Sequence, residues 1–195
     1  MMHLNTEIRF INDEIGLGVY ATKPIPKGTL IWTQCAFDRI FTPDEVKALP
    51  STHQKLMGHY AYESVHGNLI MCWDAGRYVN HSCNPAMLPV DTGLEIAIRD
   101  IAQGEEITCD YSEINLVNPL NCRCGYSECR GTISKTDTEV LWQKWDLQIR
   151  DAMRCATSVP QPLLPYALYA SQFGHFLENL ESVPSHRNFY AKEPA

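Results

Sequence analysis

The chain has 195 residues, 45% of them hydrophobic and 20% charged, which is enough apolar material for one domain with an appendage. A net charge of −7 argues against a nonspecific nucleic-acid binder, which needs a basic footprint, and suits a basic partner such as a lysine-rich peptide. No run of about 20 apolar residues exists, so no membrane span is expected, and residues 1–10 lack the basic-then-apolar order of a signal peptide. The eight cysteines then belong in a reducing compartment, cytoplasmic or nuclear, where thiols favour metals over disulfides.

Residues 7–11, 16–21 and 29–33 alternate like short strands, divided by turn signals that include Pro26-Lys-Gly28. Thr42-Pro-Asp-Glu45 reads as a capped helix start, with Thr42 as N-cap, proline in the first turn and Glu45 three residues on. This predicts a short helix to about residue 49, and a second follows over 51–57. Strand-like pieces return at 69–73, 94–99 and 106–109, with polar motifs in the loops between them. Short strands with few helices indicate a folded, mainly β assembly rather than βαβ units. Beyond Thr136, Leu141, Trp145, Ile149, Ala152 and Ala156 recur at helical spacing, predicting an amphipathic helix over 137–155. The proline-rich run 160–165 ends it. A second helix carries Tyr166, Tyr169, Phe173, Phe176 or Leu177, and Leu180 on one face. Both stripes are expected to dock on the domain or on a second copy, giving a homodimer.

Cys122-x-Cys124-x4-Cys129 is too dense in thiols for ordinary packing. Its first pair shares a tight turn, Gly125 lets the backbone fold back, and Cys83, in Arg77-Tyr-Val-Asn-His-Ser-Cys83-Asn-Pro85, can supply a fourth thiolate. Four thiolates make a closed, structural zinc site. Cys35, Cys72, Cys109 and Cys155 lack such spacing and read as buried small hydrophobes. Gly104-Glu-Glu-Ile-Thr-Cys-Asp-Tyr111 reads as a turn entering a strand, with Tyr111 at its end; by itself that tyrosine is a core residue. Gly16-Leu-Gly18 alone is a tight turn, and His81 alone a satisfied core histidine.

Together, in this order and spacing, Gly16-Leu-Gly18, the Arg77–Pro85 segment, the Gly104–Tyr111 segment and the cysteine cluster resemble the SET-domain protein lysine methyltransferases, the last piece resembling that family's post-SET zinc segment. The resemblance spans residues 6–133. It implies a SET fold of small β-sheets around a knot-like crossing of the Asn80 and Tyr111 segments, with domain limits 6–115, a post-SET segment 116–133 and a helical extension 134–195. It implies S-adenosylmethionine as cofactor, met by the backbone of Gly16, Leu17 and Gly18, where side chains would block close approach. Arg77 would face the methionine carboxylate, and Asn80 and His81 the amino and adenine ends. Tyr111 takes the catalytic place, Cys83, Cys122, Cys124 and Cys129 the zinc, and Tyr62 and Cys109 the substrate channel. Tyr60, Arg123 and residues 131–133 are further candidates for lining the sites.

Two positions depart from the family pattern. Ala86 stands where asparagine is common, and Cys109 where an aromatic controls how many methyls are added; a small side chain there leaves room for a methylated amine. The implied activity is methyl transfer to a lysine of a basic protein, a histone or histone-like protein among them. The rival readings are a catalytically silent SET module that binds peptide or cofactor, a zinc module without cofactor, and a Cys–His hydrolase, for which no cysteine has an activating arrangement.

Overall fold

The computed structural model describes residues 1–64, 66–114, 116 and 118–188. The boundary expected at residue 115 and the end of the extension beyond 188 lie outside the described residues. In chain order the strands and helices are β1 (Thr6–Asn12), β2 (Gly16–Ala21), β3 (Leu30–Thr33), β4 (Arg39–Phe41), α1 (Pro43–Ala48), α2 (Ser51–Tyr60), β5 (Ala61–Glu63), β6 (Leu69–Met71), β7 (Asn80–His81), β8 (Met87–Asp91), β9 (Leu94–Ala97), β10 (Glu106–Cys109), β11 (Leu120–Asn121), β12 (Thr132–Ile133), α3 (Thr138–Ala156) and α4 (Ala170–Glu178). Single 3-10 turns fill several of the gaps, among them Ala75–Tyr78, Tyr111–Ile114 and His186–Asn188. No described helix is long and apolar enough to cross a membrane.

The strands form small sheets in the orders β1-β2-β10-β7, β3-β9-β8 and β4-β6-β5, plus the β11-β12 pair. The mainly β, SET-like architecture with C-terminal helices is thus present. The Asn80 and Tyr111 segments lie side by side: β7 pairs in parallel with β10, Asn80 opposite Thr108 and His81 opposite Cys109. The Ser82 and Ala86 amides then donate to the Cys109 and Thr108 carbonyls, both at 2.9 Å. Ala86 is fully buried, so a backbone bond does the anchoring and no room remains for an asparagine side chain.

The β3-β9-β8 sheet is covered on both faces, so β3, expected to alternate, is buried along its whole length. One face carries Leu30, Leu88, Val90, Leu94 and Ile96 against Trp145, Ile149, Ala152 and Ala156 of α3 and Phe173 and Phe176 of α4. The other carries Ile31, Trp32, Met87 and Ala97 into a second core with Val19, Ile107 and Cys109. Both apolar stripes of the extension therefore dock on the chain's own sheet, and the faces considered for a second copy are covered from within.

Some expectations need correction. α4 starts at Ala170, and Tyr166 lies in a preceding 3-10 turn, exposed rather than on the helix face, because Pro165 interrupts the approach. Strand β8 was not expected, since Pro89 reads as a breaker; it survives because β8 is an edge strand, where a missing amide costs no ladder bond. The three-residue strands β4 and β5 carry too little pattern to be predicted. Cys35, Cys72 and Cys109 are buried, but Cys155 is only half-buried, one position off the α3 stripe. The α1 start is as expected: Thr42 and Glu45 exchange both bonds of a capping box.

Gly28 seats the extension. Its φ is +89°, and a Cβ there would come within 2.8 Å of the Ala152 carbonyl and the Ala156 amide on α3. Gln161 bridges the same junction, donating to the Gly28 carbonyl at 2.7 Å and the Ala156 carbonyl at 3.0 Å while accepting from the Leu30 amide at 2.9 Å. A Gly28→Ala protein should lose about 2 kcal/mol or more, from left-handed backbone strain plus a forced shift of α3. Urea denaturation measures it; an unchanged midpoint would show that α3 can move freely.

Candidate active site

Three separated segments meet around β2, β7 and β10. Gly18 allows it: a Cβ there would lie 2.7 Å from Glu106 Oε1 and 3.1 Å from Asn80 Nδ2. In its absence Asn80 Nδ2 donates to the Leu17 carbonyl at 3.0 Å and to Glu106 Oε1 at 2.8 Å. Gly16, at φ +82°, has no atom within 4 Å of its Cβ position, so the backbone there borders open space. The sequence places Glu106 at the start of a strand and carries no sign of its bond to Asn80.

Tyr111 lies two residues past the end of β10 and opens a 3-10 turn. Its hydroxyl donates to the Val79 carbonyl at 2.8 Å. Its amide donates to His81 Nδ1 at 3.1 Å, and the two rings are 5.5 Å apart. Burial, with smaller contributions from Cys109 and Glu106, pushes the phenol above its ordinary range, so the hydroxyl stays protonated. Val79 contributes only a carbonyl, which no sequence motif marks.

His81 is directed by its own neighbours. Burial lowers its pKa, the opposing pull of Asp110 notwithstanding, so the ring is neutral. With Nδ1 accepting from the Tyr111 amide, the proton sits on Nε2, which lies 3.4 Å from the Cys83 sulfur. Both ring nitrogens are therefore engaged within the chain. Arg77 is likewise folded on its own loop, donating Nε to the Asp74 carbonyl at 3.1 Å and a terminal nitrogen to the Trp73 carbonyl.

The cysteines converge. The ligand atoms of His81, Cys83, Cys122 and Cys124 all lie within 4.8 Å of one another, and the Cys83 and Cys122 sulfurs are 3.8 Å apart. Cys129 sits beside this group, its sulfur 3.7 Å from the Cys122 carbonyl and interacting with the Cys122 and Cys124 thiols. Backbone amides point at the sulfurs: Arg130 to Cys83, Cys83 to Cys124 and Gly131 to Cys129, each at 3.5 Å. Burial pushes the Cys124 thiol up, but amides of Cys83 and Tyr126 and the neighbouring thiols outweigh it, drawing it down to about 7. Donors aimed at sulfur favour thiolates, and a thiolate set of this kind fits zinc.

Arg130, which sequence reasoning missed, joins this cluster to the Tyr111 segment. Its Nε lies 3.4 Å from the Cys83 sulfur, while its terminal nitrogens reach Asp110 at 2.7 Å and Asp137 at 3.1 Å. Its place directly after the last cysteine is the only hint the sequence offers. Arg123 pairs with Glu14 at 2.6 Å, tying the cysteine loop to the β1–β2 turn. Tyr62 meets Trp32 edge-on at 5.9 Å and packs, like Tyr111, against the second core, which includes Cys109. Tyr60 contacts Tyr78, with rings 5.7 Å apart.

Residues 16–112 match the SET domain family. The chain is a SET-domain protein. It is homologous to histone-lysine methyltransferases, and the Cys/His cluster, in which His81 and Cys83 of the SET domain meet Cys122 and Cys124 beyond it, is consistent with a post-SET zinc site. A histone-lysine N-methyltransferase of Cryptococcus neoformans, H3 lysine-36 specific, is 32% identical over 151 residues, covering 67% of this chain and 17% of the relative. The histone-lysine N-methyltransferase mes-4 of Caenorhabditis elegans is 28% identical over 141 residues, 62% of this chain and 16% of that one. An H3 lysine-4 specific enzyme of Neurospora crassa is 38% identical over 68 residues, 30% of this chain and 5% of its own length. This SET-domain protein thus spans about a sixth of the length of the relatives it matches over most of its residues.

Proposed function

We propose that the chain is a protein-lysine N-methyltransferase that uses S-adenosylmethionine and acts on a basic protein such as a histone. The observation that carries this reading is the meeting of Tyr111 with Val79 and Asn80 and with the Gly16–Gly18 backbone, three segments distant in sequence and joined by the bonds described above. Bound S-adenosylmethionine supplies an electrophilic methyl on a sulfonium sulfur. The residues do the rest. Open space at Gly16 admits the cofactor against backbone, and Arg77 keeps Nη1 available to a carboxylate among the described residues. The Tyr111 hydroxyl and Val79 carbonyl present oxygens that attract a polarised methyl and orient an incoming amine, so positioning and fixed dipoles carry the rate. Tyr111, protonated, is a donor here and not the base.

In this reading Cys83, Cys122, Cys124 and Cys129 hold a structural zinc ion, and His81 donates to the Cys83 thiolate instead of ligating. The net charge of −7 suits a basic histone tail, without direct nucleic-acid contact, in a reducing compartment of the cytoplasm or nucleus.

Labelled S-adenosylmethionine and a cell lysate test the activity: the expected result is label on a lysine of a basic protein, and its absence would end the reading. Mass spectrometry of the product should show di- or trimethyl-lysine, since Cys109 fills little space; monomethyl-lysine alone at saturating enzyme would contradict that. The inward folding of Arg77 and His81 favours a second reading, a silent module that binds peptide or cofactor. That module would bind S-adenosylmethionine by calorimetry and transfer nothing.

A further inference from the structure

Alternation along β9 puts Leu94 and Ile96 into the core under α3 and Glu95 on the opposite face. There Glu95 pairs in register with Trp32 of β3 and Pro89 of β8. The second core on that side contains Trp32, Cys72 and Cys109, with Tyr62 and Tyr111 packed against it. A carboxylate is costly on such a face unless a cation or several donors meet it. Glu95 Oε2 is buried with no hydrogen-bond partner. The Tyr62 hydroxyl and Trp32 Nε1 are also buried and unpartnered, Trp32 being only 5% exposed. An acceptor, a hydroxyl and an indole N–H are thus left unpaired on the face that carries both proposed channel residues, Tyr62 and Cys109.

We propose that Glu95 is the acidic floor of the lysine channel, holding the target ammonium through its unpaired oxygen and taking its proton. This rests on the methyltransferase reading and assigns a reacting residue within it. One N–H bond of the ammonium breaks, its electron pair stays on nitrogen, and the proton bonds to Glu95. The freed pair forms the N–C bond to the methyl of the sulfonium donor as the C–S bond breaks and its pair remains on sulfur. Ammonium and carboxylate become amine and carboxylic acid, and the sulfonium charge passes to the methylated nitrogen.

The surroundings fit that task. Burial raises the Glu95 carboxyl to about 7, near the working pH of a general base. Facing it are Tyr62 of β5, Cys72 beyond β6, Cys109 of β10 and Glu113 of the turn after Tyr111. Burial raises the first three, Cys72 to about 12, so they stay neutral. Burial and then the Glu95 charge push Glu113 well up, so Glu113 keeps its proton and Glu95 carries the pair's negative charge. Among the described residues no cation pairs with Glu95 to compete with the incoming one.

The test follows tritium transfer to recombinant histone H3 between pH 6.5 and 9.5, on the order of the range spanning the Glu95 and lysine titrations. Wild-type kcat should rise through an inflection near neutrality. Glu95→Gln should lower kcat about 100-fold at neutral pH, abolish the inflection and recover as the amine deprotonates unaided; Glu95→Asp should restore part of it. Calorimetry with n-butylammonium on the zinc-loaded chain should show affinity at least about tenfold weaker in Glu95→Gln. Thermal stability of that variant should hold or rise, since an unpaired buried charge is gone; a purely structural glutamate would lower it. Superimposable pH profiles, or equal n-butylammonium affinity, would overturn the proposal while wild-type transfer leaves the methyltransferase reading standing. Absence of wild-type transfer to H3 and to every lysate protein would defeat that reading and this proposal with it.

Discussion

Tyr111→Phe should reduce methyl transfer at least about 100-fold, the loss found when one positioned donor is removed from a reacting centre, with zinc content and S-adenosylmethionine affinity unchanged. The substitution deletes one atom from a defined place. The hydroxyl donates to the Val79 carbonyl at 2.8 Å, and the ring packs on the second core and against His81. Phenylalanine keeps the ring contacts and the amide bond to His81, so the local fold persists. The Val79 carbonyl loses its donor, at a stability cost of about 1 kcal/mol. Single-turnover transfer of labelled methyl, beside calorimetry with the cofactor, separates chemistry from binding. Near-wild-type turnover would remove Tyr111 from the reacting centre; equal loss of turnover and cofactor affinity would make it a structural residue.

How much of this could be read from the chain alone depended on the range of each interaction. The α1 capping box and the α3 stripe are local, so Thr42, Glu45, Trp145 and Ile149 announce them. The four motifs were legible because each is a fixed local string, and their order identified the family. Long-range consequences were not. Pro89 concealed β8, because only its edge position in the sheet makes a proline harmless there. Glu95, in Leu94-Glu-Ile96, looks like the solvent side of a half-buried strand, yet its sheet is covered on both faces. His81 was placed toward the cofactor by its motif. The direction of its ring is set by the Tyr111 amide and the Cys83 sulfur, contacts that exist only once β7 and β10 lie side by side.

Cys124→Ser should release the zinc and disorder the segment around it, and methyl transfer should fall with it although Cys124 touches no reacting atom. From residue 118 to 132 none of the described side chains is buried, and Ile133 is the first apolar anchor. The two-residue β11–β12 ladder contributes little. This stretch has no core of its own, so metal ligation, worth on the order of 10 kcal/mol in small zinc modules, has to hold it. The effect reaches the active site through Arg130, whose guanidinium spans the Cys83 sulfur and Asp110, the residue before Tyr111. Elemental analysis should find one zinc ion in the wild-type protein and little in Cys124→Ser, with faster amide exchange across residues 120–133. Two further variants settle the fourth ligand. If four thiolates bind the metal and the His81 proton lies on Nε2, Cys129→Ser loses zinc and His81→Gln keeps it. The reverse pattern would make His81 the ligand, which requires the Tyr111 amide to leave Nδ1 and would couple the metal directly to the catalytic segment.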